Sequence, residues 1–114
     1  ATAADFLSKD QFLRAQALSG AGDQSGAIAA WWKFLETYPW MAQVVQPRIG
    51  DAYLAINDLA GAATAYQRAA ESATETLSKV QLLERVAQSY NDAGRYGEAA
   101  ATYDEILAVA QHPG

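Results

Sequence analysis

The chain holds 114 residues, 51 % of them hydrophobic, with no cysteine and with 13 acidic against 8 basic side chains, a formal charge of −5. Such a chain reads as one small folded domain, and the lack of cysteine removes disulfides and thiolate metal sites. Charge is interspersed and no apolar run nears the roughly 20 residues of a membrane span, which argues against nucleic acid as a partner and against direct membrane insertion.

Six helices are expected, at 5–20, 24–37, 42–56, 59–72, 76–92 and 96–110. The first stops at Gly20-Ala21-Gly22-Asp23, where glycine supplies a left-handed residue and Asp23 caps the next helix by accepting a backbone N–H. The second carries Ala27, Trp31 and Phe34, spaced so that each turn places one of them on the same face. Tyr38-Pro39 closes it, because the residue before proline is pushed out of the helical region. In the third helix Pro47 costs nothing if the helix begins near Val45 and marks a kink if it begins earlier. Asn57-Asp58 separates it from the fourth, which Asp58 caps as Asp23 does the second and which carries Ala62, Tyr66 and Ala69. Ser72-Ala73-Thr74-Glu75 has the capping-box pattern and predicts a start for the fifth helix near Thr74. Asn91-Asp92-Ala93-Gly94, where glycine again supplies a left-handed residue, leads into the sixth, with Ala99, Tyr103 and Ile106.

The three Ala-led ladders repeat: 35 residues separate Ala27 from Ala62, and 37 separate Ala62 from Ala99. Leu18, Tyr53 and Tyr90 precede the respective alanines by the same interval. Each ladder is expected to be the buried stripe of its helix and almost entirely core, with small Ala15, Gly50 and Ala87 on the partner helices allowing close approach. The units run over about 8–41, 43–76 and 80–113 within a single domain, 1–114. In unit length and in these positions the chain resembles the tetratricopeptide repeat family. That resemblance implies an all-α fold of three tandem helix-turn-helix repeats, stacked as a short right-handed α-solenoid. It departs from the family pattern at Gln11 and Arg14, where large apolar residues are usual.

The resemblance further implies a concave groove lined by the first helix of each repeat. The positions map to Lys9, Phe12 and Gln16; to Val44, Arg48, Asp51 and Leu54; and to Gln81, Glu84, Arg85, Gln88 and Asn91. Their mixed chemistry suits an extended peptide or a helix, while a merely solvated surface is the plainer alternative. One subclass clamps the terminal carboxylate of chaperone tails; the matching positions here are Phe12, Gln16, Arg48, Gln81 and Arg85, of which only Arg85 fits, so that mode is not expected. Arg48 and Arg85 could still pair one acidic side chain. Trp31 is read as core. Trp32 and Trp40 are read as aromatic anchors for a partner or a sugar ring, or as filling of the seam between repeats.

Catalysis finds no constellation. The lone His112 lies in the tail, Asp104-Glu105 point apart on a helix, and the glycines form no phosphate-cradling loop. The expectation is therefore a chain that is not itself an enzyme and that holds no metal and no cofactor. Val45-Gln46-Pro47-Arg48-Ile49-Gly50-Asp51-Ala52-Tyr53, with Gly94-Arg95-Tyr96 and Tyr103-Asp104-Glu105-Ile106-Leu107, is also similar to the helical region preceding the catalytic domain in bacterial lytic transglycosylases. In those enzymes a Glu-Ser pair stands ahead of a Gly-rich segment; Glu71-Ser72 has none after it and reads as coincidence.

Three functions follow as expectations. The first is a noncatalytic scaffold that binds a protein or peptide through the groove. The second is the accessory region of a cell-wall enzyme, which would place the chain in a bacterial envelope and not the cytoplasm. The third is self-association, a homodimer through the helix at 96–110. That helix is apolar at Ile106-Leu107-Ala108-Val109 and would show its stacking face to water, so something is expected to cover it. Because the chain opens at Ala1 without a signal peptide, it is also expected to be a processed product or a piece of a longer protein.

Overall fold

Three turns of one geometry organise the chain. In the computed structural model, which describes residues 2–111, the N–H groups of Gly22, Asn57 and Gly94 bond back to the carbonyls of Ser19, Leu54 and Asn91. The N–H groups of Asp23, Asp58 and Arg95 bond to Leu18, Tyr53 and Tyr90 at 2.9, 2.9 and 2.8 Å. This paired pattern satisfies carbonyls that a helix end would otherwise leave open, and it needs a left-handed residue at its centre. Gly22 and Gly94 supply it at φ +87° and +75°, and Asn57 at +59°.

The helices between and around these turns are α1 (Ala3–Gly20), α2 (Gln24–Thr37), α3 (Ala42–Ala55), α4 (Leu59–Ser72), α5 (Thr76–Asp92) and α6 (Tyr96–Gln111), with a 3₁₀ turn at Pro39–Met41 between α2 and α3. The described residues are thus all-helical apart from short connections. Asp23 and Asp58 each accept from the backbone N–H three residues on, Gly26 and Gly61, at 2.9 Å. Such a cap stabilises a helix by typically about 1 kcal/mol. At the third turn Arg95 stands in the capping position and has no side-chain acceptor to offer. There Arg95 Nε donates to Glu98 Oε1 at 2.7 Å, and Glu98 brings negative charge to the helix N-terminus.

Each helix packs on its neighbours in chain order, α1 on α2, α2 on α3 and onward to α5 on α6. The result is a slab of 46 × 33 × 18 Å with a radius of gyration of 15.3 Å, above the roughly 13 Å of a compact chain of this length. The core is heaviest at the N-terminal end, where Trp31, Phe34 and Leu35 meet Val45, Ile49, Ala15 and Ala65. Farther along it is alanine-rich, around Ala62, Ala63, Tyr66 and Val86, then Ala70, Leu83 and Ile106. Gly50 is what brings α3 onto α4, since a Cβ there would lie 2.6 Å from the Tyr66 ring.

Two sequence expectations need correction, and one left open is decided. Tyr103 is not core: it is 41 % exposed, while Thr102 beside it is buried and bonds the Glu98 carbonyl. The box at Ser72 to Glu75 does not form. Ser72 stays in α4 and its hydroxyl donates to the Arg68 carbonyl, so α5 begins at Thr76 with Glu75 as a cap that makes no side-chain bond. Pro47 lies inside α3, which begins at Ala42, so it removes the N–H that would reach the Gln43 carbonyl; Gln43 is exposed and water can serve that oxygen.

Candidate functional site

α1, α3 and α5 carry the groove residues, and most of them reach solvent. Lys9, Gln16, Val44, Arg48, Asp51, Leu54, Gln81, Glu84, Arg85 and Gln88 are exposed, whereas Phe12 and Asn91 are half-buried. They gather around separate depressions and do not form one cleft. Gln16, Arg48 and Asp51 line a trough of about 370 Å³ over Trp31. Gln81, Glu84, Arg85 and Gln88 line another with Tyr103 and Ile106 on α6. Lys9 and Phe12 border a third, between α1 and the 3₁₀ turn. Val44, Leu54 and Asn91 lie on the same helices and line none of the three.

The two arginines have separate partners. Arg48 stacks over the Phe12 ring, 5.4 Å from its centre. Arg85 lies 5.5 Å over the Tyr66 ring, and its Nη1 is 3.3 Å from Asp51 Oδ1. The Tyr66 hydroxyl donates to the same carboxylate oxygen. Burial, reinforced by the hydrogen bond and the charge of Asp51, pushes the Tyr66 phenol far above its ordinary range, so it is a neutral donor at any physiological pH. The ion pair itself is more than half exposed on both sides and contributes little, since water screens it. This trio ties α3, α4 and α5 together.

The third depression differs from the rest in chemistry. Its volume is about 420 Å³, and Phe12, Leu13, Phe34, Tyr38, Trp40 and Met41 form most of its lining. A chain of ring contacts runs through it, Phe12 to Phe34 at 5.7 Å, Phe34 to Tyr38 at 4.9 Å and Tyr38 to Trp40 at 5.5 Å. The 3₁₀ turn folds Trp40 back onto Tyr38 and leaves it 73 % exposed. Trp32, the other candidate anchor, is instead half-buried in the seam, with Arg68 stacked 5.1 Å over its ring.

One unit later the same notch recurs between α3, α4 and α5. Where the first has Phe12, Phe34, Tyr38 and Trp40, the second has Pro47, Ala69, Ala73 and Glu75. Equivalent backbone positions therefore hold an aromatic pocket in one place and a small, polar one in the other. Sequence reasoning did not place Leu13, Tyr38 and Met41 at this site. The run Tyr38-Pro39-Trp40-Met41, four residues past Phe34, carried the signal, because a proline-led turn holds neighbouring aromatics on one side.

Among the described residues no group of three His, Asp or Glu side chains is placed to hold a metal ion, and no helix is long and apolar enough to cross a membrane. His112 lies outside the described residues. The chain matches no protein-family model and no curated protein.

Proposed function

We propose that this chain is a noncatalytic interaction module that binds a peptide or a neighbouring domain across the faces of α1, α3 and α5. In this reading its six helices are three repeats of the tetratricopeptide kind, stacked as a short right-handed solenoid. The three equivalent turns and the chain-order packing support that arrangement. The observation that carries the function is the contrast between the two notches. A fold needs no exposed tryptophan at this position, since the equivalent residue one unit later is Glu75. Exposed aromatics in a depression are the side chains that most often dominate a binding interface. Lys9 on the rim and Arg48 over Phe12 add positive charge in an otherwise acidic chain, so the ligand expected is a short segment with one large apolar residue beside an acid.

Peptides selected from a random library on the immobilised chain test this. The selected sequences are expected to share that pattern, and Trp40→Ala is expected to weaken them about tenfold with the helical circular dichroism unchanged. Arg48→Glu together with Arg85→Glu is expected to weaken them too. Selected peptides that bind all of these variants as tightly as the parent would remove this surface from consideration.

A further inference from the structure

The ladder positions of the three units reveal a second surface, independent of the notch. In α2 the line Ile28, Trp31, Leu35 is buried, and so is its equivalent in α4, Ala63, Tyr66, Ala70. The same line in α6 is Ala100, Tyr103, Leu107, and every member is exposed, Leu107 to 58 %. Tyr96 and Ala110 extend it by one turn at each end and are exposed as well. An apolar stripe at this spacing is the face that a helix presents to another helix.

The cover on the first two lines identifies what the third lacks. α3 packs on α2 and α5 packs on α4. Each brings an arginine to the aromatic of that line, Arg48 beside Trp31 in a shared trough and Arg85 over the Tyr66 ring. Each also brings a β-branched residue to the core directly after that arginine, Ile49 and Val86. Beside Tyr103 the corresponding space is an open trough of about 620 Å³ between α5 and α6, with Glu84 on its wall. α6 itself carries Glu98, Asp104 and Glu105 and no Lys or Arg. Glu98 is paired with Arg95.

The geometry points to this α5–α6 face as the seat of one further amphipathic helix, supplied by a partner, with an arginine followed by a β-branched residue and a net positive charge. It continues an interface that the chain already builds twice. A second copy of this chain fits the seat poorly. Its α1 would place Arg14 where α3 and α5 bury Ile49 and Val86, and α6 against α6 would bring acidic rows together.

The probe is a labelled synthetic peptide of residues 76–92, carrying Glu84→Lys to raise its charge, titrated with the full chain and followed by fluorescence anisotropy. Saturable one-to-one binding is expected, weakened about tenfold by Tyr103→Glu and by Leu107→Glu in the chain. Both positions are exposed, so circular dichroism of the variants is expected to match the parent. Trp40→Ala is expected to leave this binding unchanged, which separates it from the notch. No saturation by about 1 mM overturns the proposal, as does binding indifferent to both glutamate variants. A dimer of the chain alone in sedimentation equilibrium, dissociated by Leu107→Glu, also overturns it and assigns the face to a second copy.

Discussion

Tyr66 and Tyr103 occupy the same position in successive units and live in opposite surroundings. Tyr66 is 1 % exposed, beneath Arg85 and bonded to Asp51; Tyr103 stands at the edge of an open trough. Both ladders open on a buried alanine, Ala62 in one and Ala99 in the other. The difference lies in the neighbouring helix: α5 packs on α4 with Arg85 over Tyr66, and no helix among the described residues covers the same face of α6. Burial at these positions is therefore a property of the seam between units, and each unit alone builds only half of it. The largest test of that comparison is truncation of each ring. Tyr66→Ala is expected to lower stability by about 3–5 kcal/mol, as for other fully buried aromatics, and Tyr103→Ala by about 1 kcal/mol or less. Urea denaturation of the two variants decides it, and equal losses would break the contrast.

A smaller effect follows from the phenol of Tyr66. Its ionisation is held far above the value of an unfolded chain, mainly by burial and then by Asp51. The folded state thus favours the neutral phenol. That stability is complete below about pH 10, where the unfolded tyrosine is also neutral, and is lost progressively above it as the unfolded chain gains the option to ionise. Between pH 8 and pH 11 the urea midpoint of the parent is expected to fall more than that of Tyr66→Phe, which retains the ring and lacks the proton. Parallel falls would mean that Tyr66 is not shielded.

The contrast between seam and unit also explains which features were legible in the sequence. Helix ends came from local chemistry: Asp23 and Asp58 as caps, Gly22 and Gly94 as left-handed residues, Pro39 as a stop. Each acts within a few residues of itself, so the observed boundaries lie within two residues of those expected. The ladder pattern was legible too, because periodicity marks an apolar face. Whether that face is covered depends on another helix, and Tyr103 follows the same pattern as Tyr66 with no cover. Ser72 to Glu75 misled because its residues fit a cap, while the Ser72 hydroxyl found a partner inside α4. At the candidate site, Phe12 and Trp40 were visible as residue types. Their meeting with Leu13, Tyr38 and Met41 depends on the 3₁₀ turn and on the approach of α1 to α2, neither of which a spacing rule encodes.

The finest test compares the buried faces of α3 and α5. α3 buries Gln46 where α5 buries Leu83, and Gln46 Oε1 has no hydrogen-bond partner. An amide oxygen removed from water without a partner costs roughly 1–3 kcal/mol, while a leucine of similar volume regains apolar burial. Gln46→Leu is therefore expected to raise stability by about 1 kcal/mol, read as a higher urea midpoint at an unchanged slope. The gain makes the buried face of α3 chemically like that of α5, which already has leucine at this position. A loss of stability would instead mean that the amide serves the packing of α3, and that the two helices are equivalent in backbone only.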